Sequence, residues 1–114
     1  MKVLVTGANG FIGTHLCAYL AARDIPCRRA VRRPDDRGGD TEVVGDIAGT
    51  TDWSPALTGI TAVVHLAARV HVLREEVDDP LAEFRRVNVA GTAGLARQAA
   101  AAGVRRFILL STIK

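Results

Sequence analysis

Apolar residues along this chain follow two patterns that take turns. Lys2–Thr6 is a near-continuous apolar run, as expected of a strand buried on both faces. From Phe11 to Arg23, Ile12, Leu16 and Leu20 recur every four residues, which predicts a helix with one buried stripe. Ile25-Pro26 ends it, and Cys27–Val31 reads as a second, shorter strand. "RRPDDRGGD" is a loop by its Pro, Gly and Asp content. Thr41–Val44 is a third strand, closed by Gly45-Asp46. Asp52 reads as the cap of a brief helix through Trp53, Pro55 and Leu57, with Pro55 tolerated in its first turn.

Thr61–Leu66 is a fourth strand, followed by the polar loop "REEVDD". Pro80 starts the longest predicted helix, which reaches about Ala102 and ends at Gly103. Its inward face is Leu81, Phe84, Asn88, Gly91 and Leu95, and Arg106–Leu110 is the fifth strand. Strands joined by helical crossovers predict an α/β fold, a Rossmann-type doubly wound parallel sheet with helices on both faces. The expected strand order is 3-2-1-4-5. Residues 1–114 then form one dinucleotide-binding domain, expected to be incomplete at its C-terminal edge.

The first strand runs into three glycines, Gly7, Gly10 and Gly13, at the start of the first helix. A strand-to-helix turn leaves backbone N–H groups unpaired, and with the helix dipole these attract anions. Gly7 allows the chain to turn sharply, Gly10 lets a diphosphate approach the backbone, and Gly13 lets the helix press on the sheet. Three glycines also occur in ordinary loops, but the strand before and the helix after supply the context that a nucleotide site needs.

Composition narrows the function without naming it. The 48% hydrophobic and 24% charged content fits one globular domain of 114 residues. With 15 basic and 12 acidic residues and no basic face interleaved with aromatics, nucleic-acid binding is not expected. Arg28, Arg29, Arg32, Arg33 and Arg37 instead gather locally, as a pocket for one anionic group would require. No apolar run of about 18 residues is present, so no transmembrane segment is expected. Cys17 and Cys27 lack metal-ligand spacing and read as reduced, buried thiols of a cytoplasmic protein, with no signal peptide ahead of them.

The stretch "TGANGFIG" resembles the extended branch of the short-chain dehydrogenase/reductase superfamily, the NAD-dependent epimerase/dehydratase family. "GDI" at Gly45–Ile47, "HLAA" at His65–Ala68 and "NVAGT" at Asn88–Thr92 follow in that family's order. The resemblance implies coenzyme binding by Gly7, Gly10, Phe11, Ile12 and Gly13, with Asp46 and Ile47 near the adenine. It also places Leu66, Ala67 and Ala68 along the crevice and Asn88 near the active-site wall. Asp46 capping the next turn, or Asn88 bridging its helix to a strand carbonyl, are the structural alternatives. His65, inside an apolar strand, reads as a core residue with a satisfied ring, and His71 as a solvated loop residue.

An acidic residue about 20 positions past the glycines would hold the ribose hydroxyls of NAD, whereas arginine suits the extra phosphate of NADP. Arg32 and Arg33 stand there, so NADP is expected over NAD, although Asp35 and Asp36 follow and could fold back to the ribose. In the resembled family a Ser or Thr past the fifth strand contacts the reacting sugar oxygen, which points to Thr112 and its neighbour Ser111. That family then needs a Tyr-x-x-x-Lys pair, yet the one tyrosine, Tyr19, is in the first helix and Lys114 is the last residue. The chain is therefore expected to be an inactive N-terminal part, lacking the substrate domain, of an enzyme that is a homodimer at full length.

The stretch from Ala67 to Thr92, with "STIK", looks like the bacterial enzymes acting at C4 of nucleotide- or lipid-diphosphate-linked amino sugars. The intact enzyme would pass a hydride between a sugar carbon and nicotinamide, as an epimerase, dehydratase or reductase. The rival expectation is a non-catalytic module of the same superfamily that senses NADP.

Overall fold

A computed structural model describes residues 1–67 and 86–110. Five strands, β1 (Val3–Thr6), β2 (Cys27–Val31), β3 (Thr41–Val43), β4 (Ala62–His65) and β5 (Arg106–Leu109), form one parallel sheet. Its order is β3-β2-β1-β4-β5, as expected from the alternating elements. β1 is central, with Val3 facing Cys27 on one side and Ala62 on the other.

Alternation along the strands sorts the core into two halves. Leu4, Ala30 and Val63 point to one face, where Trp53, Leu57 and Leu95 complete a buried cluster. Val3, Val5, Val31 and Ala62 point to the other, against Leu20 of α1 (Phe11–Ala22). The first face is covered by α2 (Ser54–Leu57) and α3 (Gly91–Ala101). A strand buried on both faces, as β1 is, requires an unbroken apolar run, and each fully buried Val or Leu contributes about 1.5–3 kcal/mol.

Three expectations change in detail. Ile12, placed by its spacing on the buried stripe, is 50% exposed, because the first turn of α1 projects where no described element covers it. The long helix does not run evenly: Arg86–Ala90 is a π-helical turn that passes into α3 at Gly91. Its earlier part, with Leu81 and Phe84, lies outside the described residues, as does His71. The cap of α2 is also displaced by one residue: Trp53 holds the cap position, while Asp52 Oδ1 accepts the Ser54 N–H at 3.0 Å.

At the sheet's outer edge, β5 pairs with β4 and leaves Ile108 and Leu109 about half exposed. Among the described residues no helix is long and apolar enough to cross a membrane.

Candidate functional site: the glycine turn and its surroundings

Gly7 follows β1 with φ +64°, a conformation that a side chain disfavours. A Cβ there would stand 2.8 Å from the Ala67 backbone nitrogen, so the turn lies directly against the chain leaving β4. Gly13 is tighter: a Cβ would meet the Gly7 carbonyl oxygen at 2.2 Å. That contact sets how closely α1 approaches the turn. Gly10 differs from both, since a Cβ there would meet its nearest neighbour only at 3.4 Å. The outer wall of the turn is therefore open at Gly10 and closed at Gly7 and Gly13.

No side chain caps the start of α1, and its first turn holds no acidic residue. Its leading N–H groups and the positive end of the helix dipole are left facing outward beside exposed Phe11 and Ile12. Arg37 adds a cation here, its Nη1 donating to Thr14 Oγ1 at 2.7 Å. The open glycine, the uncapped helix and the guanidinium together suit a diphosphate.

Behind the turn lies a buried polar chain that the strand pattern does not reveal. Thr6 Oγ1 accepts the N–H groups of Leu66 and Ala67 at 3.0 and 3.1 Å. Its hydroxyl proton is then free to go to His65 Nδ1, 2.6 Å away. His65 Nε2 donates in turn to Thr92 Oγ1 at 3.1 Å. Only the Nε2–H tautomer satisfies this order of donors and acceptors. Burial pushes the His65 ring down to about 4, so it is neutral at pH 7. His65 thus has the satisfied core role expected of it, and the chain ties β1 and β4 together at their C-terminal ends.

The arginine cluster does not form one anion pocket. Arg28 donates to Asp40 and to the carbonyls of Ala56 and Thr58, joining β2 to the end of α2. Arg29, largely buried, forks onto Asp35 at 3.2 and 2.5 Å and also reaches Thr41 Oγ1. Asp35 is accordingly held below its ordinary value by the Arg29 hydrogen bonds, and it is engaged with Arg29 rather than turned to a ribose. These two arginines are structural because the Asp-rich loop that follows β2 supplies their partners. The outward cations are Arg32, Arg33 and Arg37.

Arg32 Nη2 lies 2.9 Å from Asp46 Oδ1, and both side chains are exposed. The residue expected to read the coenzyme's ribose end and the one expected to read its adenine are therefore neighbours. Ile47, next to Asp46, buries its side chain in the core, leaving its backbone as the group that could face a ligand. Leu66 and Ala67 are half-buried at the end of β4, and Asn88 is half-buried in the π-helical turn. Ala68, Ser111 and Thr112 lie outside the described residues. Thr6 and Thr92 are the site residues that sequence reading passed over. The signal available was His65 itself, whose two ring nitrogens needed partners.

Comparison with known proteins agrees with this fold. The model of the NAD dependent epimerase/dehydratase family matches residues 3–114. A UDP-glucose 4-epimerase of Vibrio cholerae is 44% identical over 115 residues, covering 99% of this chain and 35% of that protein. A 3-beta-hydroxysteroid dehydrogenase of Mycolicibacterium neoaurum is 35% identical, covering 94% of this chain and 31% of its own length. Among solved structures, a short-chain dehydrogenase/reductase superfamily protein of Agrobacterium tumefaciens with bound NAD superimposes with a TM-score of 0.82 at 35% identity. That match covers 98% of this chain and 33% of the other. The chain thus spans about a third of the length of these relatives.

Proposed function

The chain belongs to the NAD dependent epimerase/dehydratase family, and on that premise we propose that it is the dinucleotide-binding part of a nucleotide-sugar epimerase, dehydratase or reductase. The observation that carries this reading is the turn itself. Gly7 and Gly13 are closed against backbone, while Gly10 and the uncapped start of α1 are open. The likeness to a UDP-glucose 4-epimerase favours a sugar nucleotide as the substrate class.

The coenzyme would supply a hydride acceptor and donor at its nicotinamide ring. The residues of this chain would bind and orient it. The Gly10–Gly13 backbone would hold the diphosphate, with Phe11 and Ile12 flanking it. Asp46 and the Ile47 backbone would meet the adenine, and Leu66, Ala67 and Ala68 would line the crevice with Asn88 near its wall. Thr112, with Ser111 beside it, would contact the reacting sugar oxygen.

NADP is favoured over NAD because Asp35 is taken up by Arg29, whereas Arg32 and Arg33 are exposed at the end of β2. Proton transfer is a different matter. The one tyrosine, Tyr19, sits on the exposed side of α1, six residues beyond Gly13 and so about 9 Å along the helix. With no tyrosine at the crevice this chain would bind coenzyme without turning over sugar.

Calorimetric titration with NADP and NAD tests the reading. NADP should bind at least tenfold more tightly, and Arg32→Ala should erase that preference while leaving NAD affinity unchanged. A folded protein that takes up neither coenzyme would overturn the assignment. An unchanged preference in Arg32→Ala would overturn only the role of Arg32.

A further inference from the structure

The chain has two cysteines, ten positions apart, and the fold brings them together. Cys17 lies in the middle of α1 and Cys27 is the first residue of β2; their sulfurs are 3.8 Å apart. Both side chains are half-buried at the margin of the cluster formed by Val3, Val5, Leu20 and Val31. A disulfide needs sulfurs about 2.05 Å apart, so side-chain rotation and a small shift of α1 would close the gap.

The two thiols are not equivalent. The hydrogen bond from the Cys27 thiol lowers Cys17 below its ordinary value, and the nearby Arg29 and Arg37 guanidinium groups add to that effect against burial. Cys27 is pushed up, by keeping its proton in that hydrogen bond and by burial, with Asp40 adding to the effect. Such a pairing has the layout of an attacking thiolate with a resolving thiol beside it.

We infer that Cys17 and Cys27 form an oxidant-responsive dithiol site, which closes to an intramolecular disulfide on exposure to hydrogen peroxide. The Cys17 sulfur attacks one peroxide oxygen, the O–O bond breaks, and the leaving hydroxide is protonated to water. The resulting sulfenic acid is attacked by the Cys27 sulfur. An S–S bond forms, the S–O bond breaks, and the second hydroxide takes the Cys27 proton and leaves as water. Two thiols are oxidised and one peroxide is reduced to two waters. The bond would pin α1, which begins at the glycine turn, to β2, which leads to Arg32. The site does not depend on the coenzyme reading, since its chemistry involves neither the turn nor a nucleotide.

The test treats the full chain with stoichiometric hydrogen peroxide and follows intact mass and peptide maps. The monomer should lose about 2 Da, both thiols should disappear together, and dithiothreitol should restore them. The linked peptide should join Cys17 to Cys27. Oxygen adducts on separate cysteines, or disulfide-linked dimers without the internal bond, would overturn the site. A second measurement on the untreated protein needs no variant: iodoacetamide should label Cys17 at least fivefold faster than Cys27 near pH 7.5. Equal labelling rates would contradict the assigned order of attack.

Discussion

The glycine turn and the arginine loop that follows β2 both border the proposed coenzyme site, but they are held in different ways. The turn is fixed by backbone packing and by a buried hydrogen-bond chain running from Leu66 and Ala67 through Thr6 and His65 to Thr92. The loop is held by ion pairs, from the sheltered Arg29–Asp35 to the exposed Arg32–Asp46. Packed contacts tolerate almost no added volume, whereas exposed charge pairs contribute little and exchange partners easily. On the proposed reading, one region would therefore supply a fixed shape for the diphosphate that every dinucleotide carries. The other would, on the same reading, supply the charges that distinguish one dinucleotide from another.

The sharpest way to break this contrast is to add single methyl groups. Gly13→Ala places a Cβ 2.2 Å from the Gly7 oxygen, so we expect a loss of about 3 kcal/mol in urea unfolding and no measurable coenzyme binding. Gly10→Ala should stay within about 1 kcal/mol of the parent while weakening both coenzymes tenfold or more. If Gly10→Ala destabilised the fold as much as Gly13→Ala, the turn would have no open wall.

Next in size is Thr6→Val. It keeps shape but removes the acceptor for two N–H groups and the donor to His65, and should cost about 2–3 kcal/mol. A change under 0.5 kcal/mol, on the scale of an exposed surface substitution, would show that the buried chain contributes little.

The pH dependence separates the two regions further. The His65 ring in the folded state sits at about 4, below its ordinary 6.5. Between these values the unfolded chain takes up a proton that the folded one refuses, so stability should fall as pH drops from about 6.5 to about 4. We expect a loss on the order of 2 kcal/mol in that window, no slope from this group above it, and a flatter profile in His65→Asn. Asp35 and Asp40, lowered by Arg29 and Lys2 respectively, lose their stabilising contribution only at more acidic pH. The loop's charges should therefore register in a lower window than the turn's histidine. The smallest effect belongs to the exposed pair: Asp46→Asn should change stability by less than about 0.5 kcal/mol.

Legibility from sequence follows the same divide. The central strand was readable because burial on both faces forces an unbroken apolar run, Val3–Val5, and the structure trims each expected strand by no more than a residue at either end. The glycine turn was readable because its spacing sits between a strand and a helix. What sequence could not give was pairing. Arg28 and Arg29 carry the same charge as Arg32, and only the folded loop shows that the first two are committed to Asp40 and Asp35. The same holds for Cys17 and Cys27, whose contact depends on how α1 packs on β2. The π-helical turn at Arg86–Ala90 was hidden because apolar spacing reports which face is buried and not the hydrogen-bond register.

Amide chemical shifts of the isotope-labelled chain, followed through a titration with NADP, test the central claim most directly. The account predicts saturable shifts at the Gly10, Phe11, Ile12 and Gly13 N–H groups, with amides at the opposite end of the sheet, such as Gly103 and Arg105, unmoved. Binding that left those four amides unperturbed, or no binding by a folded chain, would contradict it.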